Sequence, residues 1–288
     1  MSASQSMLAL VRAASETLTA TGNITAKLDA EFLLAHIVGC DRAGLFTIDR
    51  PLTETESQQF EAAIARRATH EPVAYIIGEQ PFWTLDLKVN KHTLIPRPDT
   101  ETLVEAVLKR SPNNGDDMLL DLGTGSGCIL LSLLSEMRAA KGIGVDISVG
   151  ALEVARENAA TTGLSDRATF IKSDWFEHVE RPAAGFSIIV SNPPYIPSGD
   201  INALMLDVRG YEPLSALEGG ADGLMPYRVI ADKAGAYLAD SGLLAVEVGI
   251  HQAEDVASIF RCKGLEAIEV YKDLSGVERV VSAKNTLD

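Results

Sequence analysis

From residue 118 onward, short apolar runs alternate with stretches of helical spacing, and this alternation limits the fold more than any other feature of the chain. Residues 118–122, 142–146, 169–172, 186–191 and 243–248 read as strands, with helices at 128–138, 150–161, 227–238 and 252–260 and closing strands at 267–271 and 278–282. Such a pattern predicts an α/β fold with a doubly wound, mostly parallel sheet whose ligands sit beyond the strand C-termini. Residues before about 70 differ, because their apolar period is that of helices alone. Leu8, Val11, Ala14 and Leu18 form one set, Leu28, Phe32, Leu33 and Ile37 a second, and Phe60, Ile64 and Ala65 a third behind a Thr53-x-x-Glu56 capping box. Between these regions, 74–95 changes to a period of two through Tyr75, Ile77, Phe82, Leu85, Leu87 and Val89, broken by Gly78 and Pro81, which predicts a β-hairpin. The expected division is a small all-α N-terminal bundle at 1–73, a β-hairpin linker at 74–98 and a Rossmann-like domain at 99–288.

The first strand of that domain ends in Asp121-Leu122-Gly123-Thr124-Gly125-Ser126-Gly127, and a helix begins at Cys128. Glycines at this point let the backbone turn tightly and admit a ligand against it. A dinucleotide fingerprint needs a glycine where Cys128 stands, which argues against a nicotinamide enzyme. Asp146 ends the next strand, at the distance where a carboxylate accepts both hydroxyls of a ribose. Three alternating glycines behind an acid resemble the cofactor loop of class I methyltransferases. The resemblance implies that Gly123, Thr124, Gly125, Ser126, Gly127 and Asp146 bind S-adenosyl-L-methionine, with S-adenosyl-L-homocysteine as product. Ser173-Asp174-Trp175 follows the third strand, where that family flanks the adenine; a helix cap at Asp174 and core packing of Trp175 are the competing readings.

Ser191-Asn192-Pro193-Pro194-Tyr195 follows the fourth strand and falls on the same rim as the glycine loop. It resembles the Asn-Pro-Pro-Tyr signature of methyltransferases acting on planar nitrogens conjugated to a π-system. Such a nitrogen has a delocalised lone pair and must be held with that pair aimed at the methyl donor. The side-chain oxygen of Asn192 and the backbone carbonyl of Pro193 are candidate acceptors for the NH2 hydrogens, and they would stabilise charge developing on nitrogen. Pro193 and Pro194 stiffen the turn, and the Tyr195 ring offers a face for stacking. An ordinary Asn-Pro turn with a surface tyrosine is the alternative.

The tetrapeptide alone leaves adenine, guanine and glutamine open. The wider chain resembles the HemK/PrmC family, methyltransferases of class 1 peptide chain release factors. The similarity runs through Glu71-Pro-Val-Ala-Tyr-Ile-Ile-Gly78, Phe82-Trp83, Leu94-Ile-Pro-Arg97-Pro-Asp99-Thr100-Glu101, the glycine loop, Ser173 to Trp175, Ser191 to Tyr195, Tyr211-Glu-Pro213 and Ala216-Leu217. It implies methylation of the side-chain amide (N5) of the glutamine in the Gly-Gly-Gln loop of those factors. Trp175 and Asn192 would join the cofactor contacts, and Asn192, Pro193, Pro194 and Tyr195 would hold the glutamine. The stretch from Leu94 to Glu101 would border the site, with Arg97 and Asp99 either part of it or tying the hairpin to the catalytic domain. Residues 196–225, long and rich in glycine, read as a mobile wall of the substrate cleft. The bundle would grip the release factor or only stabilise its neighbour.

Composition bears on the rivals. A net charge of −15 and a pI near 4.8 oppose a nucleic-acid partner, although a local basic cleft can hide in a bulk total. The chief rival is a nucleic-acid amino-methyltransferase acting on N6 of adenine or N2 of guanine; a catalytically silent docking protein is a further one. Cys40, Cys128 and Cys262 have no ligand or disulfide spacing, so neither a zinc site nor a disulfide frame is expected. With no membrane-spanning run, and Glu16 inside the first helical pattern, the expected location is the cytoplasm.

Overall fold

The computed structural model describes residues 6–111 and 117–285; the first five residues of the stretch read for a targeting signal lie outside them. In chain order the elements are α1 (Met7–Ala20), α2 (Ala26–Val38), α3 (Glu54–Ala68), α4 (Val73–Ile77), β1 (Glu79–Phe82), β2 (Leu85–Lys88), α5 (Glu101–Arg110), β3 (Met118–Leu122), α6 (Cys128–Glu136), β4 (Lys141–Asp146), α7 (Val149–Thr161), β5 (Ala168–Lys172) and β6 (Phe186–Ser191). They continue with α8 (Leu206–Tyr211), α9 (Met225–Tyr237), β7 (Leu238–Glu247), α10 (Ala253–Cys262), β8 (Leu265–Lys272) and β9 (Glu278–Asn285).

Two compact units result. The first holds the chain up to residue 79 together with 205–211. Met7, Val11, Ala14 and Leu18 of α1 pack with Ala26, Ala30, Leu33 and Leu34 of α2 and with Phe60 and Ile64 of α3. The buried face of α2 is not the expected one: Leu28 and Phe32 are 37% and 43% exposed. Ala26 and Ala30 turn inward instead, since small side chains let a neighbouring helix approach while Leu33 and Leu34 supply the bulk. Met7 likewise replaces the exposed Leu8. The Thr53 capping box forms, with Glu56 N–H donating to Thr53 Oγ1 at 3.2 Å and Thr53 N–H to Glu56 Oε2 at 2.7 Å. Buried Asp29 accepts from Arg67 Nε at 2.7 Å and locks α2 to α3.

Residues 73–77 are a helical turn, not the first leg of a hairpin. Pro72 caps its start, and Gly78 ends it in the left-handed region at φ 87°; over so short a run, Tyr75 and Ile77 imitate a period of two.

The second unit contains residues 80–204 and 212 onward. Its sheet has the order β5-β4-β3-β6-β7-β9-β8. The strands from β5 to β7 are parallel, and β9 runs antiparallel to both β7 and β8. One face is covered by a core including Leu103, Leu130, Leu134 and Leu152, the other by one including Tyr227, Ile230, Val256 and Phe260. The hairpin β1–β2 is no free linker, because Phe82 and Leu87 are buried in the first of these cores. Asn158 of α7 accepts from Lys88 N–H at 2.7 Å and donates to Lys88 O at 3.0 Å, which fastens β2 to that face. The three cysteines are unpaired.

From β3 the chain moves outward through β4 and β5, then returns to the other side of β3 for β6 and β7. The order therefore reverses between β3 and β6, which places a ligand crevice at their C-terminal ends.

Candidate active site

Leu122 and Ser191 are partners at the ends of β3 and β6. The Ser191 hydroxyl donates to the Leu122 carbonyl at 2.7 Å, so the glycine loop and the 192–195 turn leave the sheet side by side.

Gly123, Gly125 and Gly127 have φ of 72°, 56° and 82°, a region glycine enters without steric cost. Their purposes differ. A Cβ on Gly123 or Gly125 would meet nothing within 4 Å, whereas one on Gly127 would lie 3.2 Å from Leu131 Cδ1 and 3.4 Å from Ala155 Cβ. The first two glycines leave open space for a ligand, and the third lets α6 close onto α7. Side chains hold the loop from behind: Thr124 Oγ1 donates to Asp121 Oδ2 at 2.6 Å, and Asn158 Nδ2 donates to the Ser126 carbonyl at 2.9 Å. Asp146 Oδ2 accepts from Gly125 N–H at 3.0 Å and its Oδ1 from Ser148 N–H at 2.8 Å.

Both acids carry the mark of burial. The Asp121 carboxyl is pushed up to about 7 by desolvation, against the Thr124 hydroxyl and with the charge of Asp146 adding to the rise. Asp121 Oδ1 has no hydrogen-bond partner among the described residues. Desolvation also raises Asp146, while the N–H groups of Ser148 and Gly125 pull it down. Asp146 lines the cleft, whereas Asp121 lies buried behind the loop.

A cleft of about 260 Å³ adjoins the loop. Its wall includes Gly123, Thr124, Gly125, Ser126, Asp146, Ser173, Asp174, Trp175, Asn192 and Pro194, joined by His92, Arg97 and Thr100 from the segment before α5. Trp175, at φ 49°, packs partly on the second core and also lines the cleft. Asp174 caps no helix; a turn follows it.

Of the residues singled out in the sequence, Gly127, Pro193 and Tyr195 do not line the cleft. Pro193 is buried. The Tyr195 ring packs on the second core, with its hydroxyl 3.3 Å from Glu247 Oε1 and its edge so near Gly249 that a Cβ there would stand 3.0 Å away. The ring supports the turn from the core side. Burial and the charge of Glu247 raise the phenol above its ordinary value, which keeps it neutral.

Asn192 faces the cleft, and its Nδ2 donates to Thr100 Oγ1 at 3.2 Å. Among the described residues no donor engages its Oδ1. Thr100 precedes α5 but makes no side-chain cap bond. Arg97 lines the cleft and pairs with the buried Glu212, while Asp99 Oδ2 pairs with Arg279 Nη2 of β9 at 2.9 Å. Residues 196–225 are more structured than expected. Beyond α8 they form 3-10 turns at Ser198–Ala203 and Leu214–Ala216, and Ile196 bridges Glu218. Pro213, Ser215, Ala216 and Glu218 reach the cleft. Among the described residues no group of three or more His, Cys, Asp or Glu is placed to hold a metal, and no helix is long and apolar enough to cross a membrane.

Residues 9–78 match the PrmC N-terminal domain and residues 98–206 the methyltransferase small domain. A release factor glutamine methyltransferase of Rhodospirillum rubrum is 51% identical over 89% of this chain and 78% of its own length. The chain belongs to the release factor glutamine methyltransferase family. Another such methyltransferase, from Agrobacterium fabrum, is 43% identical over 94% of each chain. A methyltransferase from Pyrococcus furiosus, 15% identical with a TM-score of 0.54, covers 82% of this chain and all of its own, and shares its fold. In this methyltransferase two supports carry no sequence signature: Asn158, an ordinary helical residue to the eye, and Glu247, the last residue of an apolar strand.

Proposed function

We propose that this chain methylates the side-chain amide nitrogen (N5) of the glutamine in the Gly-Gly-Gln motif of class 1 peptide chain release factors, using S-adenosyl-L-methionine. One observation carries the reading: Asn192 lines a cleft it shares with the glycine loop, and among the described residues no donor engages its side-chain oxygen. Relatives at 51% and 43% identity named for the same activity support the choice of glutamine over a nucleobase. The net charge of −15 favours it too, since a nucleic-acid substrate calls for a basic surface.

The residues present suit the cofactor. Gly123 and Gly125 leave its backbone cradle open, Asp146 is the acceptor for ribose hydroxyls, and Trp175 flanks the base. When bound, S-adenosyl-L-methionine supplies an electrophilic methyl on a sulfonium. The protein holds the nucleophile. Asn192 Oδ1 accepts one amide hydrogen, and the carbonyl of Pro193 is the candidate for the other; together they fix the plane of the substrate amide and stabilise positive charge arriving on its nitrogen. Pro194 shapes the cleft wall, and Tyr195 braces the turn from the core side. The N-terminal bundle, 1–73, recognises the release factor away from the reacting glutamine, and the reaction belongs to the cytoplasm.

The test is to incubate the protein with labelled S-adenosyl-L-methionine and, separately, a release factor, ribosomal RNA and DNA. The expected product is a single methyl on the Gly-Gly-Gln glutamine, located by mass spectrometry. Label in nucleic acid alone would replace this reading with the amino-methyltransferase one.

A further inference from the structure

S-adenosyl-L-methionine carries one anionic group, the carboxylate of its methionine end, and taking that group out of water calls for a charged or well-placed donor. Most of the charge along the cleft has the wrong sign for it, since Asp146, Asp174 and Glu218 are all in the wall. Arg97 is the only lysine or arginine among the described residues of that wall.

The position of Arg97 suits the methionine end. Asp146 and Trp175 take the nucleoside, so the rest of the cofactor runs toward Asn192, where the methyl must be delivered. Thr100, whose hydroxyl accepts from Asn192 Nδ2 at 3.2 Å, donates its own N–H to the Arg97 carbonyl at 3.1 Å. Arg97 is thus one turn of chain away from the residue that touches Asn192.

The arm is also held from behind. Arg97 lies between Pro96 and Pro98 in extended backbone, at φ −102° and ψ 144°, the conformation a residue before proline prefers. Its Nη2 donates to Glu212 Oε1, and Glu212 Oε2 accepts from Ile95 N–H at 3.2 Å. The Glu212 side chain is 1% exposed, so one buried carboxylate fixes both the tip of the arm and the backbone two residues earlier. A guanidinium has five N–H donors along forked edges. Glu212 engages Nη2 alone; Nε and Nη1 have no hydrogen-bond partner among the described residues, and the Arg97 side chain is 38% exposed. A second carboxylate can therefore dock on the edge that Glu212 leaves open.

We propose that Arg97 anchors the carboxylate of S-adenosyl-L-methionine through its unengaged guanidinium donors, and that Glu212 holds the guanidinium ready to receive it. This rests on the reading of the cleft as the cofactor site and deepens it by naming what secures the methionine end.

The test is a calorimetric titration of the full-length protein with S-adenosyl-L-homocysteine and with S-adenosyl-3-thiopropylamine, which lacks only the carboxylate. The wild type should bind the decarboxylated ligand about 10–100-fold more weakly. Arg97→Gln leaves Glu212 a donor but removes the cation and its fork. It should weaken S-adenosyl-L-homocysteine by about that same factor while leaving the decarboxylated ligand within about twofold of wild type. Arg97→Lys keeps the charge without the fork and should fall between; if Arg97→Gln fails to fold, the same comparison of ligands is made on Arg97→Lys. Equal affinity of the wild type for the two ligands would overturn the proposal. So would equal losses for both ligands in the variant, the mark of a purely structural arginine. A raised KM for a release factor with unchanged binding of both ligands would overturn it too, by placing Arg97 on the protein substrate. Wild-type protein that binds neither ligand would instead defeat the cofactor reading itself, and this proposal with it.

Discussion

Replacing Asn158 with leucine tests how far the cofactor loop depends on a residue that never reaches the cleft. Asn158 is fully buried and makes three hydrogen bonds, from Lys88 N–H at 2.7 Å and to the carbonyls of Lys88 at 3.0 Å and Ser126 at 2.9 Å. Leucine fills nearly the same volume but leaves those backbone groups without their partner. Each stranded buried group costs about 1–3 kcal/mol, and the apolar side chain recovers part of the total, so a net loss of about 3 kcal/mol is expected. For a unit of this size that lowers Tm by about 6–12 °C in differential scanning calorimetry. The same substitution frees the Ser126 carbonyl, so S-adenosyl-L-methionine should bind more weakly in a calorimetric titration although no contact residue has changed. A Tm within about 2 °C of wild type together with unchanged cofactor affinity would refute the claim that Asn158 holds hairpin, helix and loop as one piece.

Two further substitutions separate packing from ligand contact. Gly127→Ala should cost more stability than Gly125→Ala, because its Cβ meets Leu131 and Ala155 while both share the penalty of a positive φ; equal Tm losses would count against the assignment. Gly125→Ala should be the more harmful to cofactor affinity, read by titration. Glu247→Gln reports on pH. Burial raises the Glu247 carboxyl from its ordinary 4.5 to about 7, so between those values the native state binds a proton that the unfolded chain has released. Its contribution therefore favours the fold at low pH and is lost as pH rises through about 7. The Tm of Glu247→Gln relative to wild type should shift in favour of the variant between pH 5 and pH 8, and a constant difference across that range would contradict the assigned burial effect.

Much of the second unit was legible in the sequence because each of its signals has a local cause. Strand runs such as 118–122 and 186–191 are apolar because both faces of the sheet are covered, and Gly123 and Gly125 mark the loop because nothing else takes their backbone angles cheaply. What escaped was set by tertiary contact. Whether Leu28 or Ala30 turns inward depends on how closely another helix approaches. Five residues at 73–77 are too few for periodicity to tell helix from strand. Gly127 belongs to the glycine pattern yet serves packing, and Tyr195 belongs to the signature yet lies on the core. The bond between Thr100 and Asn192 joins residues far apart in the chain, so no local pattern announces it. Glu247 gave no signal, since an acid ending an apolar strand reads as the edge of the water.

A crystal structure of the protein with S-adenosyl-L-homocysteine and a Gly-Gly-Gln peptide bound would show whether the Asn192 amide faces the substrate amide. The glutamine nitrogen should lie about 3 Å from Asn192 Oδ1, with Asn192 Nδ2 still on the Thr100 hydroxyl. A glutamine placed with its carbonyl oxygen toward Asn192, or held at a distance from the 192–195 turn, would contradict the account.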